Sequence, residues 1–225
     1  MRGASLALLT LLCGCAEDLC GAFPPGPARV LILGDSVLAW NSSICQSVAH
    51  HAAWTLGKAA DIRAVISTQL MEGDALLPAI TDQYSDGDWE WVVLDGGGND
   101  LNKKCACGEC GDLLDRLVDV GGRKGAMPEL VDRARARGAK VILLGYYDVG
   151  PDAAYGFAEC RDEIHELNRR YRHVAAQRRN VFFVSGGDVL NPDRTPDLYD
   201  VDRVHPAPNG AEKLGQLIGR TMREN

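Results

Sequence analysis

Short apolar runs alternating with longer segments of helical periodicity predict an α/β fold, a parallel sheet wrapped by helices. Three observations carry that reading. The run from Arg29 to Leu33 is apolar from its second residue onward, as a strand buried on both faces must be. Glycine, serine or an acidic residue follows each apolar run, where the chain has to turn. Two helix candidates stop before Gly57 and Gly138 and two open at Pro128 and Pro208, the asymmetry of helix exit and entry. With 225 residues, 46% of them hydrophobic, the chain can bury one sizeable core, and a single domain over residues 28–225 is expected.

Arg2 near the start of the chain is followed by an uncharged apolar stretch from Gly3 to Gly14. This is well short of the ~20 residues that cross a bilayer as a helix. Residues 1–15 instead read as a secretory signal peptide. The end of that stretch, Leu12-Cys13-Gly14-Cys15, resembles a bacterial lipoprotein signal, in which Cys15 would be lipidated and become the new N-terminus. Simple cleavage near Ala16 or a buried N-terminal helix are the alternatives. Residues 16–27, rich in Gly and Pro, read as a linker.

Five strands follow: Arg29 to Leu33, Asp61 to Ile66, Trp89 to Leu94, Lys140 to Leu144, and Asn180 to Val184. Between them the 3.6-residue period predicts helices over Ser43 to Leu56, Pro128 to Arg137, Glu159 to Gln177 and Pro208 to Met222. The segment from Asn102 to Ala126 is rich in glycine and cysteine and too long for an ordinary connection, so an ordered excursion held by disulfides is expected.

Thirty-one acidic against 24 basic residues leave a net charge of −7, which excludes nucleic acid as a natural partner. Eight cysteines in an exported chain point to disulfides. Setting aside Cys13 and Cys15 leaves Cys20, Cys45, Cys105, Cys107, Cys110 and Cys160 as disulfide candidates. The cluster Cys105-Ala-Cys107-Gly-Glu-Cys110 could also hold zinc, although no fourth ligand stands at a zinc-ribbon spacing.

In an open parallel sheet the ligand crevice lies beyond the carboxyl ends of the strands. Gly34-Asp35-Ser36 follows the first strand there, and Gly97-Gly98-Asn99-Asp100 follows the third. Near the C-terminus, Asp202-Arg-Val-His205-Pro206 spaces an acid and an imidazole so that they can meet around a turn. Taken singly, Ser36 could be a helix N-cap, Asn99-Asp100 a turn, and His205-Pro206 a surface loop.

Together these three blocks resemble the SGNH or GDSL hydrolases, a family of esterases and lipases. Gly34-Asp35-Ser36-Val37 is similar to their first block, with valine where leucine is usual; Gly97-Gly98-Asn99-Asp100 to their Gly-x-Asn-Asp block; and Asp202-x-x-His205-Pro206 to their Asp-x-x-His block. The resemblance runs from about Val30 to the C-terminus. It implies a three-layer α/β/α flavodoxin-like fold with a five-stranded parallel sheet in the order 2-1-3-4-5. Ser36 would be the nucleophile, His205 its base and Asp202 the residue that orients the imidazole. The oxyanion hole would comprise the Ser36 N–H, the Asn99 amide and the N–H of a lone glycine after the second strand, for which Gly73 is the best candidate.

Asp100 and Asp200 are rival acids, Asp35 reads as a turn former, and His50, His51, His165 and His173 as structural or solvated. Trp40, Tyr146, Tyr147 and Tyr155 lie near strand ends and could line an acyl or alcohol pocket. The implied activity is hydrolysis of carboxylic esters, with acetyl or short acyl esters, lysophospholipids and thioesters all open, and without metal or organic cofactor. Acyl transfer to an envelope sugar or lipid is the alternative within catalysis. A non-catalytic carbohydrate- or lipid-binding envelope protein is the alternative outside it. The expected location is the periplasm, the cell envelope or the outside, with membrane anchoring through Cys15 if it is lipidated.

Overall fold

The computed structural model describes residues 20, 23, 24 and 26–225. The expected signal peptide, the lipid anchor at Cys15 and much of the 16–27 linker lie outside the described residues.

Five strands form one parallel sheet in the order β2-β1-β3-β4-β5. They are β1 (Val30–Leu33), β2 (Ala60–Ile62), β3 (Trp91–Leu94), β4 (Lys140–Gly145) and β5 (Val181–Ser185). The helices are α1 (Ser36–Ala39), α2 (Val48–Leu56), α3 (Ile80–Gln83), α4 (Gly98–Cys105), α5 (Gly111–Leu117), α6 (Ala126–Ala136), α7 (Arg161–Ala176) and α8 (Pro208–Glu224).

Successive side chains of a strand point to opposite faces, so a continuously apolar strand feeds two cores at once. Val30 and Ile32 of β1, with Trp91, Val93, Ile142 and Leu144, pack against α2 and α8. Leu31 and Leu33, with Val92, Leu94, Val141 and Leu143, pack against α5, α6 and α7 on the other face. Register sets Leu33 beside Leu94 and Leu94 beside Leu143, so the carboxyl ends of β1 and β3 finish level, while β4 runs on to Gly145.

Beyond shifts of one or two residues at element ends, four departures from expectation have an identifiable cause. First, β2 stops at Ile62 rather than Ile66. It is an edge strand with one neighbour, and beyond Ile62 only the single bonds from Arg63 N–H to Ile32 O (2.8 Å) and Val65 N–H to Gly34 O (3.0 Å) follow β1. Second, the helix expected over residues 43–56 is broken. A 3-10 turn spans Ser42–Ile44, and α2 starts afresh with Ser47 as N-cap, its hydroxyl accepting the His50 N–H. The break carries Cys45, in a left-handed conformation and disulfide-bonded to Cys20.

Third, Pro128 is the third residue of α6 rather than its first, still within the turn whose N–H groups need no helical partner. Fourth, the excursion over residues 102–126 is largely helical. It completes α4 and contributes α5, whose Leu113, Leu114 and Leu117 are buried in the core. Disulfides Cys105–Cys110 and Cys107–Cys160 hold it as well. All three clustered sulfurs are therefore in disulfides, which removes the thiolates the zinc alternative needs. No described helix is long and apolar enough to cross a membrane.

Candidate active site

The level carboxyl ends of β1 and β3 and the turn before α8 bring three sequence blocks to one place. Beyond β1 the chain turns at Gly34 and starts α1 at once. A Cβ at residue 34 would lie 1.7 Å from Asp95 Oδ1, so only glycine admits the approach. Gln83 clamps the turn, its Oε1 accepting the Gly34 N–H at 2.8 Å and its amide donating to Gly34 O at 3.1 Å. Asp35 caps α1 by accepting the Val37 N–H at 3.0 Å. Ser36 is then the first helical residue, where the N–H has no intrahelical acceptor and can serve a ligand.

Beneath the turn lies a buried acid network. Asp95 Oδ1 accepts the Asp35 N–H at 2.8 Å, and the Tyr146 hydroxyl donates to Asp35 Oδ2 at 2.6 Å while accepting the Gly98 N–H at 3.0 Å. Burial pushes the Asp35 carboxyl up, against the lowering effect of its bonds from Tyr146 and Val37. Burial, reinforced by the neighbouring Asp35, drives Asp95 well above the usual carboxylate range.

Opposite this turn, Asp202 folds the chain onto itself. Its Oδ1 accepts the N–H groups of Val204 and His205, both at 2.9 Å, and its Oδ2 lies 2.6 Å from His205 Nδ1. An imidazole that donates Nδ1–H to a carboxylate carries its lone pair on Nε2. That atom is 2.8 Å from Ser36 Oγ, so the serine hydroxyl donates to it. Burial alone would raise the Asp202 carboxyl, but the ring and backbone bonds from His205 and the bond from Val204 N–H outweigh it, and the group stays below its ordinary value.

The rival acids are engaged elsewhere. Asp200 accepts the Trp40 indole N–H at 2.6 Å. Asp100 accepts the Leu70 N–H at 2.6 Å, and burial raises its carboxyl to about 6.

Asn99 stands in the first turn of α4, which Gly97 opens with φ +96°. Its Nδ2 donates to Thr68 O at 2.9 Å, and the same nitrogen has a second hydrogen for a ligand. Ser36 and Asn99 both line a cavity of about 40 Å³.

Gly73 does not line it. A Cβ there would come within 2.6 Å of Ala79 N and 2.8 Å of Leu77 O, so its glycine serves the tight turn closed by the Asp74 N–H to Leu77 O bond. The segment set against Asn99 is Ser67-Thr68, with Ser67 left-handed at φ +67°. A search of the sequence for glycine passes over it.

Two further features escaped the sequence. The Trp40 indole stacks on the His205 ring, centroids 3.9 Å apart and planes within 6°. The Asp35–Asp95–Tyr146 network joins residues distant in the chain, and only the register of β1, β3 and β4 assembles it. Of the cysteines, Cys160 lines the cavity and Cys107 reaches the site through it, whereas Cys45 stands apart in its bond to Cys20.

A model of the GDSL-like lipase/acylhydrolase family matches residues 32–213. The chain belongs to that family. No curated protein sequence matches this GDSL-like hydrolase significantly. Among solved structures, a point mutant of an acetyl-xylooligosaccharide esterase from Geobacillus stearothermophilus is similar at 15% identity and a TM-score of 0.58, over 89% of this chain and 95% of that one. A lipase from a goat rumen metagenome is similar at 17% identity and TM-score 0.57, over 87% and 97%. A protein of Slackia heliotrinireducens provisionally described as an SGNH hydrolase matches at 18% identity and TM-score 0.56, over 88% and 100%. At these identities the likeness is one of fold, and it extends over nearly all of the GDSL-like hydrolase.

Proposed function

We propose that this GDSL-like hydrolase is an exported serine esterase that cleaves carboxylic esters through an acyl-serine intermediate. The observation that carries the proposal is the continuous array Ser36 Oγ, His205 Nε2, His205 Nδ1 and Asp202 Oδ2, with successive separations of 2.8 and 2.6 Å across its two hydrogen bonds. A serine hydroxyl is a weak nucleophile, and a neutral imidazole within hydrogen-bond reach makes it a strong one. His205 Nε2 takes the Ser36 proton as Oγ attacks the ester carbonyl, and the new negative charge falls on the carbonyl oxygen. The Ser36 N–H and the second N–H of Asn99 Nδ2 are the donors placed for that oxyanion. Asp202 holds the tautomer and stabilises the imidazolium.

Collapse of the tetrahedral intermediate breaks the bond to the alcohol oxygen, which leaves with the proton on His205 Nε2. Water then repeats the sequence on the acyl-serine, releasing the carboxylic acid and regenerating Ser36. Gly73 is left out of this scheme, since the backbone bonded to the Asn99 amide is that of Thr68. The three disulfides support an oxidising compartment and hence export.

The test is labelling by a fluorophosphonate probe together with hydrolysis of aryl esters. Wild-type protein should react with both and Ser36→Ala with neither. Equal labelling of the two proteins, or hydrolysis that survives the substitution, would overturn the proposal.

A further inference from the structure

The cavity beside Ser36 has a direction. Ser36 and Asn99 line it, together with Val37, Phe157, Ile164 and Val204, but His205 and Trp40 do not. This asymmetry bears on how an ester must lie. The leaving alcohol oxygen has to face His205 Nε2 to receive its proton, while the carbonyl oxygen faces the donors at Ser36 and Asn99. The acyl chain is left with the third direction, away from the imidazole, and the cavity occupies that direction. On the imidazole side stand the exposed Tyr155 ring, 6.2 Å from His205, and the Trp40 stack, a more open setting for the alcohol.

We propose, resting on the serine-esterase reading above, that this cavity is an acyl pocket which restricts the substrate to acyl groups of about two to four carbons. One water needs roughly 10–15 Å³ of such space. A cavity of about 40 Å³ therefore takes some three heavy atoms beyond the carbonyl, which butyryl fills and octanoyl exceeds.

The walls do not yield readily. Ile164 and Cys160 are buried, and Cys160 is tied to Cys107 at the end of the segment that carries Asn99. At the rim Asp148 pairs with Arg161 at 3.0 Å and with His165 at 2.5 Å. A longer chain would have to part these charges or displace Phe157. An apolar tail gains nothing from meeting a paired carboxylate and guanidinium.

The test is kcat/KM of the full chain on p-nitrophenyl acetate, butyrate and octanoate, for wild type, Phe157→Ala and Ile164→Phe, with Ser36→Ala as control. Acetate and butyrate should be hydrolysed within about tenfold of each other and octanoate at least ~10-fold more slowly than butyrate, since each methylene misplaced in an apolar pocket is worth roughly tenfold or more. Phe157→Ala should raise the octanoate-to-acetate ratio of kcat/KM ~10-fold, whereas Ile164→Phe should lower the butyrate-to-acetate ratio. Melting temperatures show whether each variant is folded, and the wild-type profile stands without either.

Octanoate turned over as fast as butyrate, or a Phe157→Ala profile scaled equally at every length, would overturn the acyl pocket. Hydrolysis unaffected by Ser36→Ala would overturn the esterase reading itself. Ser36-dependent hydrolysis with no length cut-off would remove the pocket alone.

Discussion

Asp202 and an asparagine in its place differ by a charge and by which atom of the imidazole they can hold. An amide at position 202 can present its N–H to His205 Nδ1 and select the tautomer that points a hydrogen at Ser36, which blocks proton acceptance. Asp202→Asn should therefore leave the protein folded, with a melting temperature somewhat below wild type, and lower kcat by about 10²–10⁴. Near-normal turnover would move the orienting role away from this carboxylate. Trp40 acts on the same ring through its face. A flat indole whose centroid lies 3.9 Å away fixes the imidazole plane and would favour the positive charge the ring acquires in the proposed proton transfer. Trp40→Leu should lower kcat roughly 5–30-fold, an effect of about 1–2 kcal/mol. Because the imidazolium cannot accept the serine proton, kcat/KM should also decline toward acid. A flat profile from about pH 5 to 8, with chemistry limiting, would exclude His205 as base.

Helices α2 and α8 lie on one face of the sheet, and α8 carries Gly215 and Gly219 where it meets α2. A Cβ at Gly215 would stand 2.5 Å from His51 Cβ and 2.7 Å from Val48 O. Two effects oppose each other in Gly215→Ala. Helix propensity favours alanine by about 1 kcal/mol. Forcing a methyl against backbone and Cβ atoms of the neighbouring helix costs about 1–3 kcal/mol, and neither contact is the far end of a flexible chain. The clash should win, and Gly215→Ala should show a lower denaturation midpoint in urea; an unchanged or raised midpoint would mean that the helices can separate freely. The same helix pair shows what helical period alone misses. Residues 43–56 share one amphipathic pattern, yet Ser47 caps a new helix inside it, because a side chain that satisfies free N–H groups competes with helix continuation.

For the molecule taken together, covalent links and buried acids set the response to solution conditions. In the chain-entropy account, Cys107–Cys160, spanning 53 residues, restrains the unfolded chain by on the order of 4 kcal/mol, and Cys105–Cys110, spanning 5, by about 2. Reduction should lower esterase activity and expose residues 102–126 to protease, with the Cys107–Cys160 bond responsible for most of the loss. A chelator should change neither. Persistence of activity and protection after full reduction would show that core packing of α5 suffices.

Buried carboxyls predict the pH dependence of stability. Asp100 is raised from 3.8 to about 6, so the folded state binds a proton that the unfolded state has lost between those values. Its contribution is full below about pH 3.8 and is lost as pH rises through about 6, a change on the order of 3 kcal/mol. Asp202, held low, works in the opposite sense: its contribution is present above the ordinary carboxylate range and is lost as pH falls through its lowered value. Asp100→Asn should flatten urea-unfolding stability between about pH 4 and 7 relative to wild type. Parallel curves for the two proteins would show that Asp100 does not titrate in that window.

Spacing along the chain was enough to reveal the class of fold, the number of strands and the residues of the two blocks that meet at Ser36. A strand buried on both faces must be apolar throughout, the chain turns where strands end, and Asp202 and His205 interact across three residues. These are local constraints, written in local spacing. Gly73 was singled out for the same reason: a nearby glycine is a local signal, while the left-handed Ser67 beside Thr68 is recognised only once Asn99 is seen bonded to Thr68 O. Packing in three dimensions settled the pairing of the six cysteines, the stacking of Trp40 on His205, the buried Asp35–Asp95–Tyr146 network and the size and direction of the cavity beside Ser36. Each depends on atoms brought together from separate elements of the fold, and the distance between such side chains is set by how sheet, helices and turns pack, which no spacing within the sequence encodes.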